Sequence, residues 1–219
     1  MKNDKLSLSD VISSSWGKAK SNYSVVLFSL LIYLLIITVV GVLESGATNI
    51  ASNNPSGIAI IISLFAPAIM IFRLGVQNLL SIGLTRIFLN IVDGKKAEIP
   101  QIFEAEGVFW QYLGASILYG LIIVAGILLL IVPGIYWSIK YQFAMTIVVD
   151  RKKSPTEALS ISGDITSGYK WWLLLFGIVM ALLNLAGLLA LGLGLLITIP
   201  ITLLAHIYVY RKLSLKAKS

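Results

Sequence analysis

Two long apolar stretches constrain this chain more than any other feature of its sequence. Residues 107–149 contain a single charged side chain, Lys140, and residues 171–210 contain no Lys, Arg, Asp or Glu. A helix crosses the ~30 Å hydrocarbon core of a bilayer with about 20 apolar residues. Each stretch therefore holds enough sequence for two crossings. Turn-forming residues lie near the middle of each, Pro133-Gly134 and Gly192-Leu193-Gly194, and predict two helical hairpins.

The first half of the chain is less regular. Residues 21–43 form an uncharged run that ends at Glu44 and predict a first span. Residues 58–92 are apolar with a helical pattern but are interrupted by Arg73, where no turn signal occurs. This pattern favours one long helix, bent near Pro67 or Gly75, that spans over residues 58–80 and extends to residue 92.

The composition agrees with a membrane protein. Hydrophobic residues make up 58% and charged residues 12% of the chain, about half the charged fraction of soluble domains. The formal net charge of +7 comes from basic residues that flank the apolar runs. This placement indicates contact with anionic lipid headgroups and argues against a nucleic-acid partner. The chain has no cysteine, so disulfides and thiolate chemistry are excluded.

The positive-inside rule tests the number of spans. Six spans, over residues 21–43, 58–80, 108–132, 134–150, 171–191 and 194–210, put all the flanking basic residues on one side. That side receives Lys2, Lys5, Lys18, Lys20, Lys95, Lys96, Arg151, Lys152, Lys153, Lys170, Arg211, Lys212, Lys216 and Lys218. The other side receives no Lys or Arg. We therefore predict an inner-membrane, multi-pass, all-α bundle of six transmembrane helices with both termini in the cytoplasm.

Three cytoplasmic segments are predicted to be short amphipathic helices at the inner interface, over residues 7–20, 98–106 and 154–166. Ser7 with Asp10 and Ser154 with Glu157 are spaced as capping boxes. Aromatic side chains mark the interfaces, because their amphipathic rings prefer that depth. The predicted inner anchors include Trp16, Trp110, Trp171 and Trp172, while Tyr136 and Trp137 are predicted at the outer interface.

An internal repeat is one interpretation of this order. Ala125-Gly126 and Asp150-Arg151-Lys152 run parallel to Ala186-Gly187 and Tyr210-Arg211-Lys212. A unit of interfacial helix plus hairpin, used three times, would produce such matches. Helical hairpins with tryptophan at their inner ends would also produce them without any common origin, and the sequence leaves both interpretations open.

Two segments carry a recognisable pattern. The first runs from Pro133-Gly134 through Lys140-Tyr141 to Asp150, and the second from Ser154-Pro155-Thr156-Glu157-Ala158 through Ser162 to Trp171-Trp172. Together they resemble the membrane domain attached to some bacterial glycerophosphoryl diester phosphodiesterases and related stand-alone inner-membrane proteins. In that family a Pro-Gly turn precedes a basic-aromatic pair, and a helix with a Pro/Ala-x-Glu-Ala-x-x-x-Ser pattern leads into a Trp-rich span.

The resemblance covers roughly residues 75–210 and implies topology more than activity. Ile161-Ser162-Gly163 departs from the family, which usually has a basic residue there and often Trp. The attached phosphodiesterase activity does not follow, because that hydrolysis uses several carboxylates and histidines around the phosphate. The single histidine, His206, has no partner suggested for a metal or a proton relay. We predict no catalytic residue, cofactor or metal site.

Cations within or beside the spans are the remaining candidates, since charges in lipid are costly. Lys140 is expected about 9 Å below the Pro133-Gly134 turn, and Arg73 near the inner boundary of the core. Arg86 is expected at the interface or in the cytoplasm. Gln77, Ser81 and Thr85 form a polar line that is expected to face neighbouring helices.

Two functional hypotheses follow. The first is a non-enzymatic membrane protein that binds or organises anionic lipids, with Lys140, Arg73, Arg86 and Tyr141 as the candidate lipid- or anion-binding residues. Its motivation is the basic-aromatic inner girdle together with cations that have no acid assigned at their depth. The alternative is a transporter or permease subunit for an anionic or amphipathic solute, with prolines and glycines that break helices around a site.

Overall fold

A computed structural model describes residues 7–53, 57–105, 107–190 and 192–217. Lys2, Lys5, Glu106, Leu191 and Lys218, which entered the predictions, lie outside the described residues. Within these ranges the chain is helical and contains no strand. The helices are α1 (Leu8–Ser21), α2 (Tyr23–Asn53), α3 (Gly57–Val92), a 3-10 helix (Ile99–Phe103), α4 (Phe109–Leu129), α5 (Ile131–Tyr141), α6 (Ala144–Arg151), α7 (Pro155–Ile165), α8 (Lys170–Leu189) and α9 (Leu195–Lys216).

Five of the described helices are long and apolar enough to cross a membrane. These segments are Tyr23–Ile50, Ile60–Val92, Phe109–Leu129, Lys170–Leu189 and Leu195–Lys216. Helices suit this role because lipid offers no partner for an unbonded backbone group. The predicted fourth span, over residues 134–150, is instead divided between α5 and α6, each too short to cross alone. The chain is not divided at Arg73, because α3 continues through both Pro67 and Arg73.

Close contacts between glycines hold two of the hairpins together. A β-carbon added to Gly126 of α4 would lie 2.8 Å from the Cα of Gly134 on α5, and one added to Gly194 would lie 2.7 Å from the Cα of Gly187 on α8. Small residues at such points let helix backbones approach closely. Leu130, with an extended backbone, forms the turn between α4 and α5. The predicted turn at Pro133-Gly134 therefore lies three residues too late; both residues belong to the first turn of α5, where proline is tolerated.

The three segments that precede the hairpins pack in a cyclic order. Helix α1 packs on α9, the 3-10 helix packs on α3, and α7 packs on α6. Each preceding segment thus lies against the second arm of the hairpin before it, and α1 closes the ring on the last one. A threefold repeat would produce this order of contacts, but packing between consecutive elements would produce two of the three as well, so the repeat stays a prediction.

The capping predictions for these segments have mixed outcomes. The Ser154–Glu157 box at the start of α7 is confirmed, since each side chain bonds the other residue's backbone N–H. At α1 the Ser7 side chain makes no capping bond and instead lies 2.7 Å from the Ser9 hydroxyl. The middle segment is a 3-10 helix, where Glu98 and Gln101 form a capping box that was not predicted.

The buried core lies toward one end of the bundle, where α3, α6 and α9 finish; we call this end the base. Its largest buried side chains include Ile87, Phe143, Ile147, Leu204 and Tyr210. Apolar side chains elsewhere on α2, α4, α8 and the first half of α3 remain exposed, among them Leu35, Leu64, Leu128 and Leu189. Such a wide exposed apolar surface is suited to lipid rather than water.

Candidate functional site at a broken helix

The segment from Ile131 to Arg151 is interrupted by Gln142 and Phe143, and α7 bonds the interruption on both sides. The hydroxyl of Ser162 donates to the carbonyl of Lys140 over 3.0 Å and accepts from the amide of Phe143 over 3.2 Å. The hydroxyl of Thr166 lies 3.1 Å from the Lys140 carbonyl and 2.8 Å from the carbonyl of Ser162, so its one proton is shared between acceptors. In a continuous helix these backbone groups would bond other backbone groups of the same helix; at the interruption, side chains from the α7 segment bond them instead.

Ser162 and Thr166 reach the same carbonyl because they are four residues apart, Ser162 in the last turn of α7 and Thr166 as its C-cap. Both are fully buried. Ser162 is the serine of the Glu-Ala-x-x-x-Ser pattern, and Lys140 belongs to the basic-aromatic pair in the other recognised segment. The two halves of the recognised pattern therefore meet at this break.

Gly163 makes room for the Lys140 side chain. A β-carbon at residue 163 would lie 2.9 Å from the Cε of Lys140, closer than packed carbons approach. The Lys140 ammonium lies 4.9 Å from the centre of the Tyr141 ring, within the range of a cation–π contact. The departure from the family pattern at residues 161–163 thus coincides with the space that Lys140 occupies.

A cavity of about 760 Å³ opens beside the break between α2, α3 and α9. Gln142, Met145 and Thr146 supply one wall from the broken segment. The other walls are mainly leucine, isoleucine and phenylalanine, including Leu30, Leu34, Phe88, Leu196 and Leu203. Its volume falls within the range of about 300–1,000 Å³ that is typical of small-molecule sites, and its apolar walls suit a hydrocarbon chain.

Several polar groups line this lateral cavity. Ser81 and Thr85 of the predicted polar line lie on its wall, whereas Gln77 is exposed and does not line it. Gln77 was expected to face a neighbouring helix, but its side chain is exposed. His206 also lines the cavity, with its ring centre 4.8 Å from that of Phe143. The lateral cavity is therefore mainly apolar, and its polar lining groups include residues beside the helix break.

A second pocket, of about 550 Å³, lies on the other side of the break against α7 and the start of α8. It is more polar than the lateral cavity. Lys140, Tyr141, Ser160, Asp164, Ser167 and Lys170 are among its lining residues. Two of the predicted site residues, Lys140 and Tyr141, are therefore brought together here, while Arg73 and Arg86 are not part of it.

Arg73 and Arg86 have acidic partners, which the sequence hypothesis did not anticipate. The Arg73 guanidinium lies 2.5 Å from the carboxylate of Glu44, and that of Arg86 lies 3.2 Å from Glu104. Arg73 was predicted near the inner surface and Glu44 at the outer end of the first span, so their contact makes these two placements incompatible. The argument from cations without counter-acids is wrong for both arginines.

A second contact corrects the predicted depth of α5. The ammonium of Lys170 donates to the hydroxyl of Tyr136 and lies 4.3 Å from the centre of its ring. Lys170 was predicted on the inner side and Tyr136 at the outer interface. Side chains that touch cannot lie on opposite sides of a ~30 Å core, so both placements cannot hold.

The predicted tryptophan anchors differ in their surroundings. Trp16, Trp110 and Trp171 are exposed, as a lipid or interfacial position requires. Trp172 is half-buried and stacks on Phe176 with ring centres 5.5 Å apart. Trp172 therefore contributes to packing within α8 as well as to its surface.

The sequence predictions missed an ionic cluster at the base. Arg211 binds Asp150 through two hydrogen bonds of 2.7 Å and Asp93 through bonds of 2.8 and 2.7 Å. The hydroxyl of Tyr210 adds a bond of 2.6 Å to Asp150. These charges lie near the ends of α3, α6 and α9, so the cluster joins all three hairpins. The repeat register did not signal it, because it aligns Asp150 with Tyr210 and Arg151 with Arg211.

In the described part of the chain, no three His, Cys, Asp or Glu side chains are grouped so that they could hold a metal ion. The long apolar helices, the exposed apolar surface and the laterally placed cavity define a multi-pass helical membrane protein.

Among known sequences, "Uncharacterized protein Rv2560" of Mycobacterium tuberculosis and "Uncharacterized protein Mb2590" of Mycobacterium bovis are similar to it. Each is 30% identical over 228 residues, covering 95% of this chain and 69% of the relative. The chain belongs to the family of these mycobacterial proteins. No family model and no solved structure matches it.

Proposed function

We propose that this protein is a non-enzymatic lipid-binding protein of the cell's inner membrane, and that its lateral cavity takes up a hydrocarbon chain of an amphipathic lipid. The observation that carries the proposal is the apolar cavity of about 760 Å³ beside a bonded helix break. Irregular backbone at membrane depth is tolerated where it is buried or lines a cavity. Polar groups beside the break, including Gln142 and His206, would hydrogen-bond the glycerol backbone of that lipid.

The topology proposed with it has six crossings and both termini in the cytoplasm. In this proposal α5 and α6 together make the fourth crossing. The meeting of Asp93, Asp150 and Arg211 supports it, because it brings the second arms of all three hairpins to the same end of the bundle. The one-sided distribution of basic residues supports the assignment of that end to the cytoplasm.

Cysteine labelling tests the topology directly, because the natural chain has no cysteine. Ala47→Cys should react in intact cells with a membrane-impermeant maleimide. Lys95→Cys, Lys153→Cys and Lys212→Cys should react only after the membrane is opened. Labelling of Lys153→Cys but not Lys95→Cys in intact cells would show that the segment between them crosses an odd number of times.

Lipid retention tests the cavity. Thr85→Phe adds a ring on the cavity wall, whereas Leu182→Phe places the same ring on an exposed position of α8. We expect mass spectrometry of the gently extracted protein to find less lipid bound per protein in Thr85→Phe than in the natural chain or Leu182→Phe. Equal retention in all three proteins would exclude the cavity as the lipid site.

The second candidate function is transport of an anionic or amphipathic solute, and the break between α5 and α6 is the observation that favours it. Discontinuous helices line substrate sites in many transporters. Flux of a fluorescent amphiphile into vesicles that contain the protein would support transport, particularly if Thr85→Phe stops it. Lipid retention without flux would favour the binding function.

A further inference from the structure

The polar pocket on the α7 side of the break is lined by two lysines, and neither forms an ion pair with a carboxylate of the described residues. Within the described residues neither Lys140 nor Lys170 has an acidic oxygen within 4.0 Å, whereas Arg73, Arg86 and Arg211 all do. The two lysines instead contact the rings of Tyr141 and Tyr136, at 4.9 and 4.3 Å from the ring centres. A ring face attracts a cation without removing its charge, so both ammonium groups keep their capacity for an anion.

The arrangement of the pocket is fixed by the fold around it. The carbonyl of Lys140 accepts a bond from the hydroxyl of Ser162 and lies 3.1 Å from that of Thr166, and these contacts hold the backbone at the start of this side chain. Gly163 leaves the space that the side chain crosses. Lys170 begins α8 and is held against Tyr136 of α5. Two cations from different helices therefore converge on one pocket of about 550 Å³.

The remaining lining groups indicate the charge of the ligand. Asp164 contributes one carboxylate, so that the two lysines leave a single net positive charge in the pocket. This balance matches the single negative charge of a phosphodiester better than a doubly charged phosphate monoester. The exposed hydroxyls of Ser160 and Ser167, with the carboxylate of Asp164, can bond hydroxyl groups carried on such a headgroup.

We propose that this pocket, the headgroup pocket, binds the phosphodiester of an anionic lipid, with the ammonium groups of Lys140 and Lys170 on the phosphate oxygens. Lysine binds phosphate as a compact positive charge. The pocket lies across the helix break from the lateral cavity, so its ligand does not need to be the lipid whose chain enters that cavity. That the ligand is a lipid rests on the proposed function, whereas the binding of an anion by the two lysines does not.

The test compares thermal stability in two kinds of nanodisc, one of phosphatidylcholine alone and one that also contains phosphatidylglycerol. We expect phosphatidylglycerol to raise the melting temperature of the natural chain. Lys140→Gln and Lys170→Gln should lose that shift, and Lys140→Arg should keep part of it. Lys20→Gln is the matched control, because it removes the same charge from an exposed position on α1 and should keep the full shift.

The outcomes separate the sources and the sites. A shift produced by soluble glycerophosphoglycerol in phosphatidylcholine nanodiscs, and lost in Lys140→Gln, would support the anion site but assign a soluble ligand. A phosphatidylglycerol shift that survives Thr85→Phe would support the headgroup pocket even if the lateral cavity binds no lipid. Equal shifts in the natural chain, Lys140→Gln and Lys170→Gln, or no shift in the natural chain, would overturn the proposal.

Discussion

Arg211 holds Asp150 through a two-pronged contact in which two guanidinium nitrogens each lie 2.7 Å from a carboxylate oxygen. Two further guanidinium N–H groups, one on Nε and one on Nη2, bond Asp93. Arginine suits this position because its planar fork presents five donors in fixed directions, which lysine cannot do. One side chain of the third hairpin thus fixes the ends of the other two.

The first prediction concerns this contact. Arg211→Met should lower the free energy of unfolding by about 2–4 kcal/mol, because two partly buried carboxylates lose their common partner. Arg211→Lys should recover only part of the loss. Denaturation in mixed micelles measures both, with the neighbouring Lys212→Met as the control that should change little. Removing Asp150 together with Arg211 should cost less than the sum of the single losses; strict additivity would mean that the contact does not stabilise the protein.

The second prediction concerns close backbone contacts at glycine. A β-carbon at Gly83 would lie 2.0 Å from the carbonyl oxygen of Ile102, so Gly83→Ala must displace the 3-10 helix. We expect a loss of about 1–3 kcal/mol or more from this overpacking. Gly120→Ala and Gly177→Ala are matched controls, because nothing lies within 4 Å of an added β-carbon there. Those two should be neutral or stabilising by up to ~1 kcal/mol, since alanine favours helix. A similar loss in all three variants would contradict the role assigned to Gly83.

The third prediction concerns the ion pair between Glu44 and Arg73. The Arg73 side chain is 42% exposed, so we expect a coupling energy of only about 0.5–1 kcal/mol in detergent micelles. A double-mutant cycle with Glu44→Gln and Arg73→Gln measures it. The exchanged pair, Glu44→Arg with Arg73→Glu, should recover stability that either single reversal loses. Failure of the exchange to recover any stability would argue that the two side chains do not act as a pair.

The fourth prediction concerns pH. Hydrogen bonds from the hydroxyl and amide of Ser154, and the charge of Lys153, hold the pKa of Glu157 below its ordinary value. The folded state therefore favours the ionised carboxylate, and this contribution is present at neutral pH. It should be lost as the pH falls from the unfolded pKa, about 4.3, through the lower folded value.

The comparison with Glu157→Gln isolates that contribution from the other acids. Glutamine can still bond Ser154 but does not titrate. The difference in melting temperature between the two proteins should change between pH 6 and pH 3, with the natural chain losing more stability. A difference in melting temperature that is constant across this range would show that ionisation of Glu157 does not stabilise the folded protein.

The helices themselves could be predicted because they are determined locally. The length of an uncharged apolar run is enough to predict α2, α4, α8 and α9, and the Ser154–Glu157 box predicts the start of α7. The depth of Arg73 could not be obtained in the same way. Counting from the start of α3 assumes that the helix begins at the membrane surface, but its 36 residues extend about 54 Å, well beyond a bilayer core.

The site was only partly predictable because its contacts are not local. Lys140 was identified from the cost of a charge in an apolar run, and Tyr141 as its aromatic partner in the recognised pattern. Ser162 and Thr166 looked like ordinary helix residues, and their role depends on the carbonyl of Lys140, which is 22 and 26 residues away in sequence. Asp93 and Arg211 are separated by 118 residues. No local pattern fixes such pairs, and the repeat register, which aligns Asp150 with Tyr210, does not predict them either.

The packing of α1 against α9 has a consequence for biogenesis. Of the described helices, the ribosome makes α1 first and α9 last, so α1 lacks its partner while both intervening hairpins enter the membrane. Asp93 and Asp150 are likewise synthesised before Arg211, the arginine that binds both. The insertion machinery must therefore tolerate an assembly intermediate in which α1 lacks its partner helix and two carboxylates lack their shared arginine. Quality-control proteases that recognise unassembled spans would have their best opportunity at that stage, before the third hairpin arrives.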